Sequence, residues 1–304
     1  MLVTEPAAFL EALGHLPDAP WGPAVPRAAL LLSPDGLDPA AATCADNAYM
    51  RPADAVDADR CAAEHRALAR ALSAQLPVLT FPGDPATPDA VFLNNAFATV
   101  PGHLLLGAMR YPARQRETAR ADIRAFFSQV LGYATIDLAR GDRVAELTGS
   151  LVIDRRRGVG LCGLSERCDL AGAQAMHAAF GLRLSFAFDL APGEYHTNVV
   201  LSVLAGRSLV MAPSGLADAA VAEALATAWR DRCVELSAAE QGAFAGNCIA
   251  LREGSVWMSE GARAALRPGT RAAFAAEGWT IDSVPLPEIE KAGGSLRCCV
   301  AELY

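Results

Sequence analysis

The chain has 304 residues, 52% of them hydrophobic and 20% charged, and a formal net charge of −8. That length and apolar content suffice for a large buried core, in one compact domain or two. The acidic balance argues against nucleic acid or an anionic membrane face as the main partner, and no apolar run approaches bilayer-spanning length.

No linker or low-complexity tract divides the sequence, which reads as a single domain over residues 1–304. Met1-Leu2-Val3-Thr4-Glu5 lacks the basic start of a secretory signal, and the run Ala29-Leu30-Leu31-Leu32 stops at Ser33-Pro34. Ala and Leu at helical spacing predict a helix over 62–76, followed by a strand at Val78-Leu79-Thr80-Phe81. Val91-Phe92-Leu93 and His103-Leu104-Leu105-Leu106 read as two strands, and 117–131 as a helix. Leu151-Val152-Ile153 and 158–162 repeat the strand pair, with a helix at 169–180. The pair recurs at 199–204 and 209–211 before a helix over 218–230, and again at 248–251 and 255–258 before a helix at 260–266. Residues 298–303 read as a last strand. This recurrence of strand, strand, helix, strand is structural, because the letters are not self-similar. It suggests equivalent modules around a shared centre with loops converging there. A doubly wound sheet, which alternates single strands with helices, fits less well.

The eight cysteines, Cys44, Cys61, Cys162, Cys168, Cys233, Cys248, Cys298 and Cys299, lie at irregular spacing. They are too sparse for a disulfide framework in a chain this long, and a reducing cytoplasm is the simpler setting. No pair has the C-x-x-C spacing and the five histidines are scattered, so neither a metal nor another cofactor is expected.

Four places carry polar groups that a plain strand does not need. Pro88-Asp89-Ala90-Val91-Phe92-Leu93-Asn94-Asn95 ends in two amides, which are most often turn chemistry. Glu146 stands just before Thr148-Gly149-Ser150, and taken alone it reads as a solvated loop residue. Glu194-Tyr195-His196-Thr197-Asn198 leads into a strand, and a single His at a strand edge is usually structural. Gly293-Gly294 precedes Cys298, a thiol that such a loop can deliver for nucleophilic chemistry. On that segment alone, a buried and inert cysteine is the plainer reading.

In this order the four places resemble the guanidino-group-modifying superfamily of arginine deiminases, dimethylarginine dimethylaminohydrolases, agmatine deiminases and amidinotransferases. Glu288-Ile289-Glu290-Lys291 and the Cys298-Cys299 pair are similar to a dimethylargininase segment. The resemblance is strongest to the branch of citrulline-utilisation hydrolases. That branch shares Pro-Asp-x-Val-Phe-x-Asn-Asn (88–95), Thr-Gly-Ser (148–150), Tyr-His-Thr-Asn-Val (195–199), Ala-Gly-Asn (245–247) and Gly-Ser-x-Arg-Cys (294–298). It runs from about residue 87 to the C-terminus, with a looser match around Asn47.

The resemblance implies an α/β fold, a five-fold pseudosymmetric propeller of ββαβ modules, and a small amino-acid substrate. It places Cys298 as nucleophile, His196 as acid/base and Glu146 as the carboxylate that orients the histidine. Asp89, Asn94, Asn95 and Asn198 fall where the substrate's head is held. Arg114 falls where a substrate carboxylate is held, although Arg110, Arg114 and Arg116 read equally well as solvated surface charge. Strand alternation points Cys299 away from Cys298, into packing.

The departures bear on the substrate. In arginine deiminases and dimethylargininases an aspartate at the Asn95 position pairs with the guanidinium, and in arginine deiminases a second aspartate stands at the Asn198 position. Acceptor-only carboxylates suit a cationic, all-donor guanidinium, whereas amides that donate and accept suit a neutral ureido group. The expectation is therefore a cysteine hydrolase that cleaves a C–N bond of citrulline or a related ureido compound. Three alternatives stand beside it: a dimethylargininase or arginine-deiminase-like enzyme whose cation is held by Asp89, an amidinotransferase, and a catalytically silent metabolite-binding protein. A homodimer is left open.

Overall fold

The computed structural model describes residues 1–38, 46–51 and 56–304; Cys44 lies outside them. Among these residues the chain is a mixed α/β fold with five small sheets of three or four strands. Every sheet joins an antiparallel pair to a third strand that runs parallel. Phe97–Val100 pairs antiparallel with His103–Leu106 across Pro101-Gly102, where Gly102 takes φ +77°, and Ala134–Asp137 lies parallel to the second strand. Leu151–Asp154, Val159–Leu164 and Leu184–Asp189 repeat the plan, with Leu2–Val3 added at the edge. Leu201–Leu204, Ser208–Met211 and Cys233–Glu235 form the next sheet, and Ile249–Arg252, Ser255–Ser259 and Thr280–Val284 the one after. The fifth draws on both ends of the chain: Ala301–Leu303 is antiparallel to Ala28–Leu32, which carries Val78–Phe81 in parallel.

Parallel neighbours need a crossover, and helices supply it. Ala58–Ser73, Leu170–Phe180 and Ala219–Trp229 each begin at an aspartate, Asp57, Asp169 and Asp218, whose carboxylate accepts a first-turn N–H. Leu170–Phe180 stops at Gly181, which adopts φ +65°. The helices bury their apolar faces on the sheets. Leu68 and Leu72 pack with Ala29 and Leu31, and Phe9 stacks on Phe186 with ring centroids 4.6 Å apart.

The structure corrects the sequence reading at the connections. Val91-Phe92-Leu93 is not a strand but part of the 3-10 helix Ala90–Asn95, buried on every side; a short apolar run does not distinguish the two. The strand partner of His103–Leu106 is Phe97–Val100 instead. The helix expected over 117–131 is broken into Pro112–Thr118, Ala121–Ala125 and the π-turn Phe126–Val130. The strands expected from 199 and 298 begin later, at Leu201 and Ala301, after the short turns Thr197–Val200 and Leu296–Cys299.

These turns meet without slack. A Cβ on Gly246 would stand 2.3 Å from the Val199 carbonyl oxygen, whereas one on Gly242 would meet nothing within 4 Å. Gly246→Ala is expected to destabilise the fold by about 1–3 kcal/mol, read as a fall in melting temperature, while Gly242→Ala in the helix Ala238–Gly242 leaves it unchanged or raised. Equal melting temperatures for the two variants would contradict this packing.

Candidate active site

Each sheet is entered through a tight connection, and the polar residues sit there. Residues 90–95, 147–150, 197–200, 245–247 and 296–299 stand immediately before Phe97–Val100, Leu151–Asp154, Leu201–Leu204, Ile249–Arg252 and Ala301–Leu303. Turns this short leave backbone carbonyls without helical partners, and side chains of the following turn take them up. Thr148 Oγ1 donates to the Asn94 carbonyl at 3.0 Å, Asn198 Nδ2 to the Thr148 carbonyl at 3.0 Å, and Asn247 Nδ2 to the Asn198 carbonyl at 2.8 Å. Asn247 Oδ1 then accepts the Cys298 N–H at 3.3 Å. A chain of hydrogen bonds therefore runs from turn to turn and ends on the cysteine. Glycine is required within it: a Cβ on Gly149 would lie 2.4 Å from Asn95 Oδ1 and 2.9 Å from His196 Nε2. Leu147 (φ 31°) and Phe244 (φ 64°) hold left-handed backbone that side chains resist, close to Glu146 and Asn247.

Glu146 is fully buried and saturated with donors. It accepts the Arg110 N–H at 3.2 Å, Arg167 Nη1 at 3.3 Å and His196 Nε2 at 2.9 Å. Burial alone would raise its pKa, but Arg167, His196 and Arg114 outweigh that and hold it at about 2. His196 is pushed below the ordinary imidazole range by burial, against the pull of Glu146. The 2.9 Å contact is thus a hydrogen bond from a neutral imidazole to a carboxylate, not an ion pair. A carboxylate only accepts, so the proton is assigned to Nε2, which leaves Nδ1 as the basic nitrogen, buried and without a partner. Taken alone in the sequence Glu146 reads as solvated; the buried Arg167 is what makes its burial tolerable.

Cys298 is buried in the turn Leu296–Cys299. Burial pushes its thiol up, opposed by the Ser295 backbone and by Asn247, whose Nδ2 lies 3.2 Å from Sγ. Asn198 Oδ1 faces the same sulfur at 3.8 Å. Cys299 packs in an apolar cluster with Leu68 and Leu72, by virtue of the turn and not of strand alternation.

One cavity of about 20 Å³ brings Cys298 together with Asp89, Asn95, Arg114, Arg167 and Tyr195, and Asn47 and Met50 cover it near Gly293. Asn47 Nδ2 and the Tyr195 hydroxyl both donate to the Gly293 carbonyl, at 3.2 and 2.5 Å. Arg114 is not solvated surface charge: it is buried, donates to the Phe92 carbonyl at 3.1 Å and lies 2.6 Å from Glu117, whose carboxyl burial pushes up to about 7. Asn94 is fully buried with both amide atoms unpartnered and does not line this cavity. Sequence reasoning assigned no role to Asn247, Arg167 or Tyr195. Asn247 and Tyr195 stand inside recognisable motifs, but Ser165-Glu166-Arg167-Cys168 carries no motif. Arg167 is held from far along the chain by Asp46, at 2.6 and 2.7 Å. Among the described residues no group of three His, Cys, Asp or Glu side chains can hold a metal ion. Among the described residues no helix is long and apolar enough to cross a membrane.

A family model described as N,N dimethylarginine dimethylhydrolase, eukaryotic, matches residues 33–304. The chain belongs to that family. Within the guanidino-modifying superfamily, a dimethylarginine dimethylhydrolase-family protein is a hydrolase of non-peptide carbon–nitrogen bonds. No curated protein matches the sequence. Among solved structures it resembles the N-terminal domain of ArgZ, a cyanobacterial arginine dihydrolase, bound to substrate. The TM-score is 0.80 and the identity 19%, over 90% of this chain and 97% of that one. AgrE with ornithine and NAD+ gives 0.80 and 20%, over 91% and 39% of the two chains. A dimethylarginine dimethylaminohydrolase adduct with 4-chloro-2-hydroxymethylpyridine gives 0.70 and 19%, over 91% and 99%. At such identities these likenesses bear on the fold alone.

Two substitutions probe the electrostatics. Glu146→Gln removes the negative charge beside the imidazole and puts an amide that can also donate where an acceptor-only group fixed the tautomer, and kcat is expected to fall by roughly 10²- to 10⁴-fold with KM little changed. Asn247→Ala removes a donor to the sulfur, so the pH midpoint for alkylation of Cys298 by iodoacetamide moves upward, from a starting point already above the ordinary thiol range. An unchanged midpoint would leave Asn247 without influence on the thiol.

Proposed function

We propose that the chain hydrolyses a C–N bond in the ureido side chain of citrulline or a closely related amino acid. It would do so as a single domain whose five sheets form a five-fold pseudosymmetric propeller around the site. The observation that carries this reading is the charge of the cavity wall. Its lining residues include two guanidiniums, Arg114 and Arg167, each paired with carboxylates behind the wall, and one carboxylate, Asp89, while Asn95 and Asn198 stand at the head positions as amides. Such a wall suits a neutral head and an anionic tail. The orientation of Asn198 is fixed by its bond to the Thr148 carbonyl, so it offers Oδ1 towards Cys298, an acceptor for a ureido N–H.

In this mechanism Nδ1 of His196 takes the Cys298 proton as Sγ attacks the ureido carbon. The same proton passes to the departing nitrogen as its C–N bond breaks, leaving a carbamoyl thioester. His196 then takes a proton from water, which attacks the thioester and releases Cys298. Glu146 holds the imidazole and balances its transient charge. Asn95 and Asn198 hold the head, with Asp89 beside them, and Arg114 receives the substrate carboxylate. Asn94 would support this set from behind the wall.

A guanidino substrate is the second reading, favoured by family membership and by Asp89 in the wall. ArgZ, an arginine dihydrolase, carries the same fold. The two readings separate on substrate charge. The natural enzyme is expected to show higher kcat/KM for citrulline than for arginine or methylated arginine, and the Asn95→Asp, Asn198→Asp double variant to move preference towards the cations. A natural enzyme that prefers the cationic substrates would sink the ureido reading.

A further inference from the structure

Two of the strands that leave the active-site turns end in a pocket of different chemistry. Leu151–Asp154 runs into the hairpin that holds Arg156 and Arg157, and Leu201–Leu204 into the one that holds Gly206 and Arg207. With Ala228, Trp229 and Arg232, these residues line a pocket of about 290 Å³. Four of its seven lining residues are arginines and none is acidic, in a chain whose net charge is −8.

The pocket is built, not a chance gathering of solvated side chains. Asp154, fully buried, accepts the backbone N–H groups of Arg156 and Arg157, each at 3.0 Å, and pairs with Arg157 Nε at 2.6 Å. The Arg157 guanidinium lies over the Trp229 ring at 4.1 Å and that of Arg207 over Trp279 at 4.1 Å. Stacking holds both in place before any ligand arrives. Gly206, at φ +61°, lets the two hairpins meet: a Cβ there would stand 2.5 Å from Arg156 Cβ and 2.9 Å from Asp154 Oδ1. Arg157 Nη2 and Arg207 Nε are buried donors with no hydrogen-bond partner. Arg157 with Asp154 is the one ion pair these four arginines form among the described residues.

We propose that this pocket binds a small multivalent oxyanion, either the di- or polyphosphate group of a metabolite or a tricarboxylate. Asp154 neutralises one of the four guanidiniums and leaves three uncompensated, so a monoanion satisfies the site poorly. Planar guanidinium forks match phosphate and carboxylate oxygens in pairs, which selects oxyanions over halides. The concave pocket and the net charge of −8 on the chain argue against a nucleic acid strand as its ligand. The site is separate from the catalytic cavity, and its test does not depend on the substrate assigned there.

The experiment is calorimetric titration of the full chain with pyrophosphate, citrate and acetate at physiological ionic strength. It is repeated on an Arg156→Glu, Arg232→Glu double variant. Both side chains are exposed, and the variant's melting temperature without ligand checks that it is folded. A variant that fails this check is replaced by Arg156→Gln alone. Saturable binding of pyrophosphate or citrate, weakened about tenfold or more in the variant, supports the site, and the tighter of the two names the ligand class. Acetate binding equal to theirs, no saturable binding of either, or unchanged affinity in the folded variant would overturn it.

Discussion

The hydrogen bonds handed from one connecting turn to the next are the constraint on which the site depends. Each short turn leaves a carbonyl that its own residues cannot satisfy, and Thr148, Asn198 and Asn247 each satisfy the carbonyl of the turn before. Satisfying those groups also aims the side chains. Asn198 and Asn247 spend their N–H on backbone, which directs Asn198 Oδ1 to the Cys298 sulfur and seats Asn247 against both Sγ and the Cys298 N–H. Precision at the Cys298 sulfur therefore comes from backbone satisfaction and close glycine packing, not from long flexible charges.

Charge is organised around that frame in compensated groups. Arg167 spans Asp46 and Glu146, and Glu146 in turn fixes the orientation of His196, whose pKa burial lowers against the pull of that carboxylate, with Nδ1 left unpartnered. Arg114 is backed by Glu117. A buried carboxylate held at about 2 can balance an imidazolium as it forms, while a thiol held above its ordinary range waits for a base.

The paired strands and their crossover helices were legible because apolar periodicity marks them, although the first crossover helix begins at Ala58, behind the cap Asp57, and not at 62. The connecting turns were not. Val91-Phe92-Leu93 is apolar because it is buried on all sides, and Leu296–Cys299 turns where its letters read as a strand. Cys298, His196 and Glu146 each had a plainer reading alone, as inert thiol, structural histidine and solvated carboxylate, and only their order with neighbouring motifs set them apart. Arg167 had no signal, because its burial is decided by Asp46 and Glu146 rather than by its own neighbours in sequence. Asn94 drew attention as half of an amide pair, yet only Asn95 reaches the cavity.

The central claim is that Cys298 carries the carbonyl carbon of a ureido substrate during turnover, with His196 and Glu146 behind it. Mass spectrometry of peptides from enzyme quenched during citrulline turnover tests this directly. A carbamoyl increment on the peptide containing Cys298 and Cys299, retained in a Cys299→Ser variant and lost together with turnover in Cys298→Ser, is the predicted result. A Cys298→Ser enzyme that still turns over citrulline at the natural rate, or an adduct carried by Cys299, would contradict it.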